Sequence, residues 1–170
     1  MFIIDQHAAH EKILYEETVK RLKNEDIILQ NLNPPIILSL SLTEEALLNK
    51  YSAEFKSFGF EIEHFGGREY AVRAVPYQFV SVDSNELLKD ILDNLSQDTH
   101  SFNSELITDK IASISCKAAV KGNSALSFNE ADEMIDRLLS LDNPYQCPHG
   151  RPTIISISKY EMEKKFKRVL

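Results

Sequence analysis

Cysteine is scarce in this sequence, with Cys116 and Cys147 the two in 170 residues. Two thiols cannot form the disulfide framework of a small secreted domain, so the expectation is an intracellular protein whose thiols are inert or metal-binding. No apolar run reaches the ~18 residues that span a bilayer, and no signal peptide precedes the first ordered segment. Positive charge is in deficit: 26 acidic residues stand against 19 basic ones, a formal net charge of -7. A free-standing DNA binder usually carries the opposite balance, so contact with nucleic acid would fall to a local patch or to another domain. A phosphate-cradling glycine loop is missing, which argues against ATP binding. No Ser/His/Asp or Cys/His pair stands in a motif that marks a nucleophile, and there are no internal repeats or low-complexity tracts.

What is present is a chain that is 43% hydrophobic, enough for one domain or two small subdomains. It opens on the apolar run Met1-Phe2-Ile3-Ile4, a buried strand with no lead-in, as expected of a fragment whose upstream residues are missing. A helix is predicted over 8–22, with Ala9, Ile13 and Leu14 among its apolar positions. Asn33-Pro34-Pro35 then breaks the chain before a strand over 36–42. Thr43 is the expected cap of a helix with Leu47, Leu48, Tyr51, Phe55 and Phe58 on one face and Gly59 at its end. Two alternating stretches, 60–65 and 69–75, flank Gly66-Gly67 and read as a hairpin. An amphipathic helix follows over 85–95, a polar and flexible loop over 96–104, and a well-buried helix over 105–121 stopped by Gly122-Asn123. Ser127-Phe128-Asn129-Glu130 is a capping box opening a helix with Ala131, Met134, Ile135, Leu138 and Leu139 on one face. Asp142-Asn143-Pro144 ends it, a loop leads to a strand over 153–158, and a last helix starts near Lys159. The fold class is therefore α/β (or α+β) in two subdomains: a discontinuous one from 1–42 and 105–170, and an inserted outer one from 43–104.

Three short blocks carry chemistry. Asp5 sits where a strand gives way to a helix, a place from which side chains project into clefts. His7 and Glu11 are four apart, so on a helix their Cβ atoms lie about 5–6 Å apart on one face and can grip a divalent cation. The plainer reading stays open: Asp5 as a cap and His7 as a satisfied, partly buried histidine. Glu16 falls about 140° around the helix from Glu11 and is read as supporting, with Lys12 as its i−4 partner. Cys147 and His149, two apart on a loop stiffened by Pro148 and Pro152, can offer a thiolate and an imidazole to one ion, or form an ordinary structural loop. Cys116 lies among Ala112, Ala119 and Val120, where a thiol is either core packing or a ligand that meets the other blocks in space.

Taken together, in this order, the blocks resemble the endonuclease-bearing C-terminal domain of the MutL mismatch-repair family. Asp5-Gln6-His7-Ala8 with Glu11 and Glu16 matches its D-Q-H-A, two residues, E, four residues, E signature. Ser115-Cys116-Lys117 resembles its small-Cys-basic motif, Cys147-Pro148-His149-Gly150-Arg151-Pro152 matches C-P-H-G-R-P, and Phe166-Lys167-Arg168 resembles a terminal F-x-R. The resemblance implies a latent, metal-dependent endonuclease that nicks DNA, and a homodimer in a bacterial, cytoplasmic and nucleoid-associated protein. By motif position it implies Asp5, His7 and Glu11 as catalytic, and His7, Glu11, Cys116, Cys147 and His149 as ligands. Glu16, Arg151 and Arg168 support them. Zinc is the implied structural or regulatory ion and manganese the implied catalytic one. Implied partners are DNA, the mismatch-recognition protein MutS through the full-length protein, and the replication sliding clamp. A clamp-binding segment of the form Q-x-x-[L/I]-x-P corresponds here to Gln30-Asn31-Leu32-Asn33-Pro34-Pro35, with Asn33 where an aliphatic residue is expected and Leu32 as its substitute; the alternative is a proline-ended turn. Lys159, Lys164, Lys165, Lys167 and Arg168 form either a DNA-facing patch or a solvated helix face. The rival readings are a non-catalytic dimerisation module stapled by zinc and an unrelated zinc-bound interaction domain.

Overall fold

The computed structural model describes residues 1–97, 104–120 and 126–168. In chain order its elements are strand β1 (Phe2–Ile4), helix α1 (Gln6–Lys23), strand β2 (Leu29–Ser39), helices α2 (Leu42–Lys50) and α3 (Ser52–Phe58), and strands β3 (Glu61–Gly66) and β4 (Glu69–Pro76). A 3-10 turn (Tyr77–Phe79) follows, then helices α4 (Ser84–Ser96), α5 (Ser104–Ala119) and α6 (Phe128–Leu139), strand β5 (Ile154–Ser156) and helix α7 (Lys159–Lys165). Helix and sheet are mixed, as the α/β reading requires. Among the described residues no helix is long and apolar enough to cross a membrane. By their internal contacts the residues form two compact units, Met1–Glu16 with Gly122–Leu170, and Glu17–Lys121. These limits differ from the 42/43 and 104/105 boundaries read from the sequence.

In the first unit β1 and β5 pair antiparallel, Phe2 opposite Ser156, Ile3 opposite Ile155 and Ile4 opposite Ile154. The ribbon is extended by bonds between Met1 and Ile157 at one end and by Asp5 N–H to Thr153 C=O, 2.9 Å, at the other. Ile4 and Ile154 pack on a core of Ala9, Ile13, Met134 and Leu138, supplied by α1 and α6. Strand side chains alternate between faces, so Ile3 and Ile155 stand on the face turned away from that core, and both are exposed. Helix α6 buries Met134 and Leu138 as its spacing predicts, whereas Leu139 is exposed. The strand expected over 153–158 is shorter, and Ser158 instead caps α7.

The second unit holds an antiparallel sheet in the order β2-β4-β3. Phe58 stacks between Phe60 and Phe79, with ring centroids 5.7 and 6.0 Å away, and Phe55 meets Phe60 edge-on. Leu87, Leu88, Ile91, Leu92 and Leu95 of α4 are all buried. The predicted break at Asn33-Pro34-Pro35 is corrected: β2 runs through it. Register slips there, Asn31 facing Ala74 and Ile36 facing Val72, so the prolines occupy a bulge on an edge strand. Proline has no N–H to give a ladder, and a bulge at an edge is where a sheet tolerates it. The Asn33–Pro34 bond is cis. A second correction is the cap of α2, which is Ser41 in a reciprocal box with Glu44, not Thr43. The helix expected to run to Phe58 is two helices meeting at Tyr51. Most of the expected loop over 96–104 and the stop at Gly122-Asn123 lie outside the described residues.

Gly59 ends α3 with φ +101°, and a Cβ placed there would sit 2.7 Å from Ile27 Cγ2 and 2.8 Å from Leu29 Cδ2. Gly59→Ala is expected to lower stability by about 1–3 kcal/mol, read by urea unfolding, because both the backbone conformation and the space exclude it. The boxes at Ser41/Glu44, Ser127/Glu130 and Ser158/Glu161 hold each glutamate below its ordinary pKa, first through the serine side chain and then through its backbone N–H. A lowered folded pKa stabilises above the unfolded value and is lost as pH falls through the folded one. Converting the three glutamates to glutamine should therefore cost stability at neutral pH, with the deficit shrinking below about pH 4, measured by thermal unfolding across pH.

Candidate metal centre

Helix α1 starts where β1 stops because Asp5 caps it. The Asp5 carboxylate accepts from Ala8 N–H at 3.0 Å, and its carbonyl accepts from Ala9 N–H at 2.9 Å. The plainer reading of Asp5 as a helix cap is the one these bonds show, and the residue is exposed at the head of the helix. About 1.7 turns on, Glu11 is 2% exposed.

The loop that faces Glu11 is a tight hairpin closed by backbone bonds. Thr153 N–H reaches Tyr145 C=O at 3.0 Å, Gln146 bridges Pro152, and Cys147 N–H reaches Arg151 C=O at 2.9 Å. At its tip Gly150, with φ +77°, returns its N–H to Cys147 C=O at 2.9 Å. A residue with a Cβ would strain that turn, which explains glycine after His149.

This geometry brings Glu11, Cys147 and His149 together, with one donor atom from each lying within 4.8 Å of the others. Cys147 is 4% exposed and His149 is open to solvent. His149 Nδ1 touches Glu11 Oε1, yet that oxygen is buried and has no hydrogen-bond partner among the described residues. A buried carboxylate oxygen in that condition is costly unless a cation meets it. Carboxylate, imidazole and thiolate together suit a divalent transition ion, zinc above all. The residues therefore fit the metal that the motifs imply.

Other candidates stand elsewhere. Asp5 and His7 are outside the three-residue group, although His7 is one helical turn from Glu11. Glu16 is ion-paired with Lys12, the i−4 partner read from spacing. Arg151 and Arg168 are exposed. Cys116 belongs to the other unit, where it is fully buried in α5 and its sulfur lies 3.7 Å from Thr18 Oγ1. Gln30, Leu32, Pro34 and Pro35 lie on β2, the last three in its bulge. Lys159 pairs loosely with Glu163 at 3.8 Å on the solvated face of α7. Sequence reasoning passed over His10, whose pKa is pushed down by burial, then by Arg137 and His7. It also passed over Thr18 and Gln78, and it quoted Ser115 only as the small residue beside Cys116. Gln78 Oε1 and Ser115 Oγ are buried without a hydrogen-bond partner among the described residues. A helical position seven on from Glu11 was the one available signal for Thr18.

The family described as "MutL C terminal dimerisation domain" matches residues 1–126. Proteins named DNA mismatch repair protein MutL align with the entire chain: that of Agathobacter rectalis is 54% identical over 170 residues and that of Clostridium beijerinckii 41%. The protein of Staphylococcus epidermidis is 38% identical over 173 aligned positions. In each, the chain spans 26% of the relative's length. The family match stops short of Cys147 and His149, whereas the whole-length relatives cover them.

Because Glu16 is engaged by Lys12, whose side chain is 9% exposed, Glu16→Gln is expected to leave zinc content after dialysis unchanged. It should cost about 0.3–0.5 kcal/mol in urea unfolding, the usual worth of an i,i+4 helix pair whose carboxylate is partly exposed. Zinc loss as large as that of Glu11→Gln would place Glu16 among the ligands instead.

Proposed function

Since this chain belongs to the MutL C-terminal dimerisation domains of DNA mismatch repair, we propose that it pairs with a second copy of itself and carries a latent, metal-dependent endonuclease that nicks DNA. The observation that carries the enzymatic half is the buried Glu11 oxygen, without a hydrogen-bond partner, set against Cys147 and His149. In this reading Glu11, Cys147 and His149 hold the ion, with His7 and Cys116 as further ligands. When bound, a divalent cation supplies Lewis-acid polarisation of a phosphodiester and a lowered pKa for an attacking water. Asp5, exposed at the head of α1, would be the catalytic carboxylate or base of this reading. Arg151 and Arg168 are the guanidinium groups that would meet phosphate oxygens. Zinc is the structural or regulatory ion of this proposal and manganese the catalytic one. With a net charge of -7 the chain alone grips DNA poorly, so nicking is expected to need the remainder of the full-length protein. Recruitment by MutS, clamp binding through Gln30, Leu32, Pro34 and Pro35, and a cytoplasmic, nucleoid-associated location complete the proposal. The same holds for the functional division of the chain into a dimerisation part, 1–42 with 105–170, and an outer part, 43–104.

Manganese-dependent nicking of supercoiled plasmid by the full-length protein tests the enzyme. Asp5→Asn and Glu11→Gln should each abolish it, and undiminished nicking would sink the assignment. Retained zinc without nicking in the unmutated protein would favour the zinc-stapled dimerisation module.

For self-association, Ile3 and Ile155, 43% and 45% exposed on one face of the β1–β5 ribbon, support a strand surface that pairs across a two-fold axis. Placing arginine at both positions should weaken the dimer about tenfold or more in sedimentation. A monomer at micromolar concentration for the unmutated protein would contradict dimerisation itself.

A further inference from the structure

Thr153 is 1% exposed, and each of its polar groups is engaged. Its N–H donates to Tyr145 C=O at 3.0 Å, closing the hairpin that carries Cys147 and His149. Its hydroxyl donates to Pro144 C=O, one residue earlier. Its own carbonyl accepts from Asp5 N–H at 2.9 Å. Asp5 in turn caps the helix that bears Glu11. One residue therefore ties the base of the two-ligand loop to the first turn of the one-ligand helix. The β1–β5 ladder and this junction are backbone links between the hairpin and the start of the helix, and Thr153 is the link nearest the ligand loop.

We propose that Thr153 is the positioning residue of the metal centre, its buried hydroxyl fixing the hairpin so that Cys147 and His149 meet Glu11. The inference rests on the reading of that cluster as a metal site. Removing the hydroxyl leaves the Pro144 carbonyl without its partner and lets the hairpin base shift relative to Asp5. The ligands themselves are untouched. Outer residues of this kind typically alter metal affinity by ~10- to 100-fold when replaced. Valine keeps the shape of threonine without the hydroxyl, and serine keeps the hydroxyl without the methyl, so the pair separates bonding from packing.

The test is a cobalt titration of the metal-stripped full-length protein, following the thiolate-to-cobalt charge-transfer absorbance that a Cys147 ligand produces, with Cys147→Ser as the blank. Thermal unfolding in chelator is run alongside to show that the stripped variants are folded. Thr153→Val should move the cobalt midpoint to at least about tenfold higher concentration, and Thr153→Ser should return it to within about threefold of the unmutated protein. If Thr153→Val is unfolded in chelator, Thr153→Ala is titrated below its own transition and is expected to show the same displacement. A valine or alanine variant that titrates like the unmutated protein overturns the positioning role and leaves the metal site standing. An unmutated protein without a Cys147-dependent band overturns the metal site, and the role of Thr153 with it.

Discussion

A carboxylate at 2% exposure, touched by the His149 imidazole but with an oxygen that lacks a hydrogen-bond partner among the described residues, is the constraint that stands out in the first unit. Taking an ion of that kind out of water costs several kcal/mol even after the protein relaxes. A neighbouring imidazole offsets part of that, but His149 meets Glu11 without the alignment of a hydrogen bond. Nothing apolar in the core requires Glu11 there, since Ala9 and Ile13 already supply the buried face of α1. The burial makes physical sense if a cation completes it, and the soft sulfur of Cys147 on the other side narrows the choice of ion.

Around that centre the architecture has a simple division. The ribbon of β1 and β5 is short, and it packs with α1 and α6 on a cluster whose buried members among the described residues are Ala9, Ile13, Met134 and Leu138. Small cores gain much from a metal or from a partner. The second unit is built differently: stacked Phe58, Phe60 and Phe79 and the buried apolar face of α4 supply its interior. It is in keeping with this that the candidate metal cluster and the exposed ribbon face both lie in the first unit.

What was legible in the sequence was local. The capping boxes at Ser127, the Gly59 stop, the hairpin at Gly66-Gly67 and the apolar stripe of α4 each depend on neighbours within a few residues, and each is where its pattern put it. Proline misled because its missing N–H rules out a central strand but not a bulged edge, and edge position is a tertiary fact. Ser41 was overlooked in favour of Thr43 although Glu44 three residues on is the signature of the box. At the site, helical spacing offered His7 as the imidazole for Glu11, whereas the one in contact is His149, reached only through the folding of the loop. Thr153 had no signal at all, because its importance lies in which carbonyls it meets.

The count of ligands bears on what such a centre is for. Structural zinc is closed by four protein donors, while catalytic zinc keeps three and leaves a position for water or substrate. Within its own unit the cluster offers three, and His149, the solvent-facing member, lies on a tight loop rather than under a lid. Asp5 stands exposed as the cap of the helix that carries Glu11, outside the group. Glu11 on α1 and Cys147 and His149 on the hairpin thus form a three-donor group with the Asp5 carboxylate outside it, so the number of further ligands, His7 and Cys116 in the proposal, is what separates a closed staple from an open site.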